Sequence, residues 1–330
     1  VSILIGVFFF KCLLLRFNNI SRVVLLILSS AIFLSPTIRS LSIWPYSLIW
    51  GLFFFIVSIY FFLKQKLNNN LNTNLILSFK QLFFLILSSY FYPSFGIFFL
   101  YFGYNLYLKF KVSKNLFYLI FFCFLLSIPF FYYVFSKNII NAFYGAEGIG
   151  VSLSQSLNLS NKIMIILTIF LYFIIPFINI KKVIHDLNKI NYQNIILIII
   201  FTILNIYFFN FPYIESGSYG GGFFHKLSNI IFKNNIFFFL SFAISLIFLV
   251  LIFKKNFNNF LLVILLILYN PQFTIYNKYF DPLIFVLFFT LFELDFDKHY
   301  FKKKYKHAQL YFFLISYLSI ALYKSYLFSI

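Results

Sequence analysis

Apolar residues run along this chain in long unbroken stretches, and short polar clusters separate one stretch from the next. Runs such as 49–63 and 116–126 show neither the two-residue alternation of a barrel strand nor the one-sided spacing of a surface helix. A helix that is apolar on every face needs lipid or other spanning helices around it, because a bilayer offers no partner for a free backbone N–H or C=O. The pattern predicts about twelve spans, near residues 3–16, 22–35, 46–63, 75–91, 93–108, 116–137, 162–180, 194–210, 235–253, 259–270, 278–293 and 308–328. Several fall short of the roughly 20 residues that cross hydrocarbon, so flanking aromatics extend them, or some tilt or insert only half-way. The expected fold is all-α: a polytopic membrane protein of about 12 transmembrane helices, with 1–330 forming one multispanning domain.

Composition removes the soluble alternative. Hydrophobic residues make up 62% of the 330 and charged residues 10%, and the mean hydropathy is +0.95, outside the range of soluble globular domains. The abundance of Phe, Ile, Tyr, Asn and Lys is the usage expected of an AT-rich genome. Cys12 and Cys123 both lie inside apolar runs, which points to neither a disulfide framework nor a metal cluster. A formal charge of +19 would suit nucleic acid if it were gathered on one surface. Here it is scattered between apolar runs, so no nucleic-acid partner is expected and the lipid bilayer is the first partner.

The scattered charge instead sets an orientation, since basic connections stay on the cytoplasmic side. One alternate set of connections carries seventeen of the 26 basic residues, from Arg16 and Arg22 through Lys64 and Lys66 to the cluster at 298–306. The other set carries seven: Arg39, Lys137, Lys162, Lys226, Lys233, Lys278 and Lys324. Lys11 and Lys80 fall within spans, near enough to the basic side for their stems to snorkel. The sparsely charged side also holds two long loops, 138–161 and 211–235, rich in glycine. Long irregular loops often carry function, so the working face is expected outside the cell membrane: periplasmic for a bacterial inner membrane, luminal in a eukaryote. This parity places Val1 outside without an initiator methionine, from which the reading is that an N-terminal helix is missing.

Chemistry must come from few residues. Asp186, Glu293, Asp295 and Asp297 sit among cytoplasmic lysines, where a solvated charge pattern is the default. Glu147, Glu215 and Asp281 lie outside, beside aromatic or glycine-rich sequence, and are the candidate catalytic acids. Lys278 and Asp281 share a face if a helix starts at Lys278. They would then offer a cation for phosphate beside a carboxylate that positions a hydroxyl; the alternative is an acid capping a helix N-terminus with an interfacial lysine. Arg39 suits phosphate or pyrophosphate by its planar fork, and Trp44 suits a sugar or lipid, though both also fit an interfacial anchor. The glycines of 217–222 could offer backbone N–H groups to a phosphate or form a flexible turn. His225 is a lone outer histidine, a candidate for substrate contact but without the second histidine a metal site needs. Tyr279 completes the binding candidates, and no cofactor is called for.

Pro271, Gln272, Lys278, Tyr279 and Phe280 resemble a Pro-Gln, basic, Tyr-Phe stretch near the end of the dolichyl-phosphate-glucose alpha-1,2-glucosyltransferase family. Ser35, Pro36 and Thr37, followed by Trp44 and a long apolar run, resemble the proline-opened span in the first half of such enzymes. This is a resemblance to the GT-C membrane glycosyltransferases, covering roughly 20–330. It implies a transferase moving a sugar from a polyprenyl-phosphate donor to a lipid-linked or surface glycan acceptor. Those families carry a key acid in their first outer loop, whereas nothing before Arg39 here is acidic. The rival readings are a polysaccharide polymerase or flippase and a small-solute transporter; spans almost bare of charge and the lack of two similar halves speak against them.

Overall fold

The computed structural model describes residues 1–44, 46–136, 158–177, 185, 191–211, 220–252, 256–270, 275–293 and 304–327. Among these there is no β-strand, only a single bridge between Gly220 and Ile275, so the chain is all-α. It divides into two compact units: residues 1–140, 281–291 and 307–330 form the first, and 141–280 with 292–306 the second.

The first unit contains α1 (Ser2–Arg16), α2 (Arg22–Ser30), α3 (Pro36–Ile43), α4 (Ser47–Leu67), α5 (Leu71–Phe91), α6 (Phe99–Phe110) and α7 (Lys114–Ser136). The second contains α8 (Leu159–Ile174), α9 (Tyr192–Phe208), α10 (Gly222–Phe232), α11 (Ile236–Ile252), α12 (Phe257–Leu268) and the single turn α13 (Asn277–Phe280). The chain then returns to the first unit through α14 (Leu283–Thr290), and α15 (Lys304–Leu327) closes the described chain. Polar separators set the helix starts. Ser21, Asn70, Asn158, Asn191 and Asn256 each accept a backbone N–H in the first turn of the helix that follows. Arg16, Lys64, Lys66 and Lys109 fall in last turns, where cations complement the helix dipole.

Three helices are long and apolar enough to cross a membrane: α4, α5 and α7 over Lys114–Tyr132. A fourth candidate is α2 with the 3₁₀ turn that extends it to Leu34, continued after Ser35 by α3 at a 65° bend. This count among the described residues is below the number expected from the apolar runs, and chain breaks account for part of it. The run at 93–108 begins as a 3₁₀ turn, Pro93–Phe98, and only then becomes the 12-residue α6. Helices α8, α9 and α11 hold 16 or 17 residues, roughly 25 Å of rise against about 30 Å of hydrocarbon.

Helix α4 is the centre of the first unit, packing against α1, α3, α5 and α14. Phe55 stacks into Phe95 and Phe98 with ring centroids 4.8 and 4.6 Å apart, and Phe9 of α1 meets Phe285 of α14 at 5.8 Å. Between α4 and α5 the contacts are also polar. Ser58 Oγ donates to the Gln81 carbonyl (2.9 Å), Gln65 Nε2 to Ser78 Oγ (2.6 Å), and Ser88 Oγ to the Gly51 carbonyl (2.7 Å). Small residues let the two backbones come close enough for such bonds. At Gly51 a Cβ would stand 2.9 Å from Tyr92 Cβ and 3.1 Å from the Phe95 ring.

In the second unit α8 is nearly encased, with α9, α10, α11 and α12 packed on it. Two asparagines clamp backbone from the side. Asn161 exchanges a pair of 2.9 Å bonds with the main chain of Asn210, and Asn259 does the same with Glu293 at 2.7 and 2.8 Å. Asn256 Nδ2 also donates to the Glu293 carboxylate (2.7 Å), which is half-buried.

Gly51→Ala is expected to destabilise the protein by about 1–3 kcal/mol through overpacking. Gly103→Ala, where a Cβ meets nothing within 4 Å, is expected to be neutral or to gain up to about 1 kcal/mol in helix propensity. Thermal unfolding of the two purified variants in the same detergent reads the difference.

Candidate functional site

The 3₁₀ turn Ala31–Leu34 ends at Ser35, whose backbone is extended (φ −61°, ψ 122°), and Pro36 starts α3 at the position where its missing N–H costs nothing. Ser35 Oγ accepts the Ile38 N–H (3.1 Å) as a helix cap and donates its own proton to Asp281 Oδ2 (2.7 Å). The Thr37 N–H points at the same oxygen from 3.5 Å. Asp281 is 3% exposed, so its carboxylate has left water almost completely. Burying such a group is costly without donors; the opening turn of α3 supplies them, together with the positive end of the helix dipole.

Arg39 lies one turn further along α3, exposed, with Nε donating back across the bend to the Phe33 carbonyl (3.0 Å). Trp44 caps α3 and is 77% exposed. Ser35, Thr37, Arg39 and Asp281, from two sequence segments each singled out alone, therefore belong to one locus. The shared face expected for Lys278 and Asp281 does not form. The helix containing Lys278 is the single turn α13, which stops at Phe280, and the cis peptide Asp281–Pro282 precedes α14.

The second unit holds the other described candidates. Gly220, Gly221 and Gly222 have φ of +90°, +92° and +78°, a region side chains avoid. The Gly221 N–H donates to the Ile275 carbonyl (2.9 Å), and a Cβ on Gly220 would fall 2.1 Å from that oxygen. The glycines are thus needed for close backbone crossing. His225 is 1% exposed, with the rings of Phe209, Phe211 and Phe238 at 5.7, 5.6 and 5.2 Å. Burial, helped by the charge of Lys226, pushes its pKa down to about 4. The imidazole is neutral and enclosed by aromatic rings. Lys278 is exposed and stands over the rings of Tyr276 and Tyr279 at 4.9 and 5.4 Å, while burial raises the pKa of Tyr276. Glu147, Glu215, Pro271 and Gln272 lie outside the described residues.

A histidine whose folded pKa lies below its ordinary 6.5 contributes stability that is full above that value and lost as pH falls toward the folded pKa. Acidification from pH 7 to pH 5 is expected to remove about 2 kcal/mol through this group, and His225→Phe to flatten that part of the profile. Thermal unfolding in detergent across this range is the measurement. In comparisons with known proteins, no protein-family model, curated protein or solved structure matches the chain.

Proposed function

We propose that this chain is a multi-pass membrane glycosyltransferase that moves a sugar from a polyprenyl-phosphate donor to a lipid-linked or surface glycan on the outer face of a cell membrane. The observation that carries the reading is the buried Asp281 carboxylate held at the opening of α3, with the Arg39 guanidinium exposed on the same short helix. In this reading the shorter apolar helices also insert, giving about twelve spans, and the uneven distribution of Lys and Arg orients them.

In the transfer, an acceptor hydroxyl gives its proton to the Asp281 carboxylate and its oxygen bonds to the anomeric carbon. The bond from that carbon to the phosphate oxygen breaks, and the lipid phosphate leaves with the electron pair. Proton removal by a positioned carboxylate is worth roughly 10²–10⁴-fold. Arg39, by its planar fork, meets the charge that grows on the phosphate. Ser35 and Thr37 hold the carboxylate in place.

A specific feature favours a second reading, transport of a lipid-linked sugar or small solute. The candidate span is discontinuous, bent by 65° at Ser35, and a carboxylate lies against the break. Broken helices with ionisable groups mark substrate and ion sites in transporters.

Sugar transfer in membranes containing the full chain, supplied with radiolabelled polyprenyl-phosphate sugars, separates these readings. Asp281→Asn is expected to lower turnover by about 100-fold or more with little change in donor KM, and Arg39→Lys to weaken donor use. Wild-type transfer by a normally inserted Asp281→Asn variant would overturn the assignment of the base. Acceptor-independent flux in proteoliposomes, abolished by the same variant, would select transport.

A further inference from the structure

A cavity of about 460 Å³ lies between α5 and α7, beside the 3₁₀ turn that links α5 to α6. Its walls include Ile86, Gly96 and Phe99 on one side and Ile120, Phe124 and Phe131 on the other. No charged residue lines it. The three hydroxyls in the wall already direct their protons to backbone carbonyls: Ser89 to Leu85 (2.9 Å), Tyr90 to Leu126 (2.6 Å) and Ser127 to Phe124 (2.9 Å). The cavity therefore has little to offer a headgroup, and water needs two to four polar partners to settle in such a place.

The surroundings name the occupant. Both flanking helices are candidate spans, and only 6% of the apolar window of α7 is buried within the protein. Phe124 and Phe131 line the cavity and are also 61% and 49% exposed, so it opens on the face that a bilayer would cover. The Tyr90 bond to the Leu126 carbonyl ties α5 to α7 close to Pro129, which leaves the Leu125 carbonyl without its helical donor. Gly96 adds no side chain to fill the space, since a Cβ there would meet only Ser89 at 3.6 Å.

We propose that this cavity binds an acyl chain of a bilayer phospholipid. Dispersion contact with the aromatic walls holds the chain, and the headgroup stays at the membrane surface. The site is independent of the Asp281 locus and of the transfer reaction.

The test uses the full chain in phosphatidylcholine vesicles doped with phosphatidylcholine carrying a diazirine on one acyl chain, followed by peptide mapping after illumination. Cross-links are expected to concentrate on 86–99 and 120–131. Gly96→Phe, which fills the cavity, is expected to reduce them roughly tenfold, while labelling at the outward Phe117 stays as in the wild type. Ser127→Leu fills the same space from α7 and gives the same loss. Labelling spread evenly over the exposed faces and unchanged by both variants overturns the proposal. So does labelling confined to a diazirine-bearing polyprenyl phosphate run in parallel, which would assign the cavity to an isoprenoid chain instead.

Discussion

One hydroxyl group links the two ends of the first unit. Ser35 caps α3 with its lone pairs and anchors Asp281 with its proton, joining positions separated by 246 residues. Without a carboxylate at Asp281, the opening of α3 would lose an anion from the positive end of its dipole. Without Ser35, a buried carboxylate would lose the nearer of its donors from α3. The bend at Ser35 and the return of the chain into α14 are therefore mutually dependent, and Arg39 takes its position from that junction.

Much of this was legible in the residues, and the rest was not for definable reasons. Apolar runs on every face predict helices in lipid, and the structure is all-α with α4, α5 and α7 of spanning length. The pattern cannot reveal where a run changes helix type without losing hydropathy, as between Phe98 and Phe99, so the number of spans was harder to read than the fold class. Ser35-Pro36 is a local signal for a helix start, and Asp281 is conspicuous in a chain with only seven acids. Their pairing is a tertiary event that no local spacing encodes. His225 illustrates the opposite case. A histidine beside a glycine-rich loop reads as an outer residue open to substrate, yet Phe209 and Phe211, which follow α9, and Phe238 of α11 converge on it.

Serines and asparagines recur as the polar elements of both units, and they share a task. Where lipid or apolar side chains surround a helix, a hydroxyl or amide must find its partner within the protein. Ser58 and Ser88 do this across α4 and α5; Asn161 and Asn259 do it by clamping two main-chain groups apiece. Their protons go to main-chain carbonyl groups, so each bond adds position as well as energy.

The α4–α5 contact also bears on how the chain enters a membrane. With Gly51 permitting backbone approach and three bonds spanning the pair, Ser58, Gln65, Ser78 and Ser88 find their partners within the two segments, before any later helix is present. They can thus partition into the bilayer together, as a hairpin, while the remainder of the polypeptide is still being synthesised.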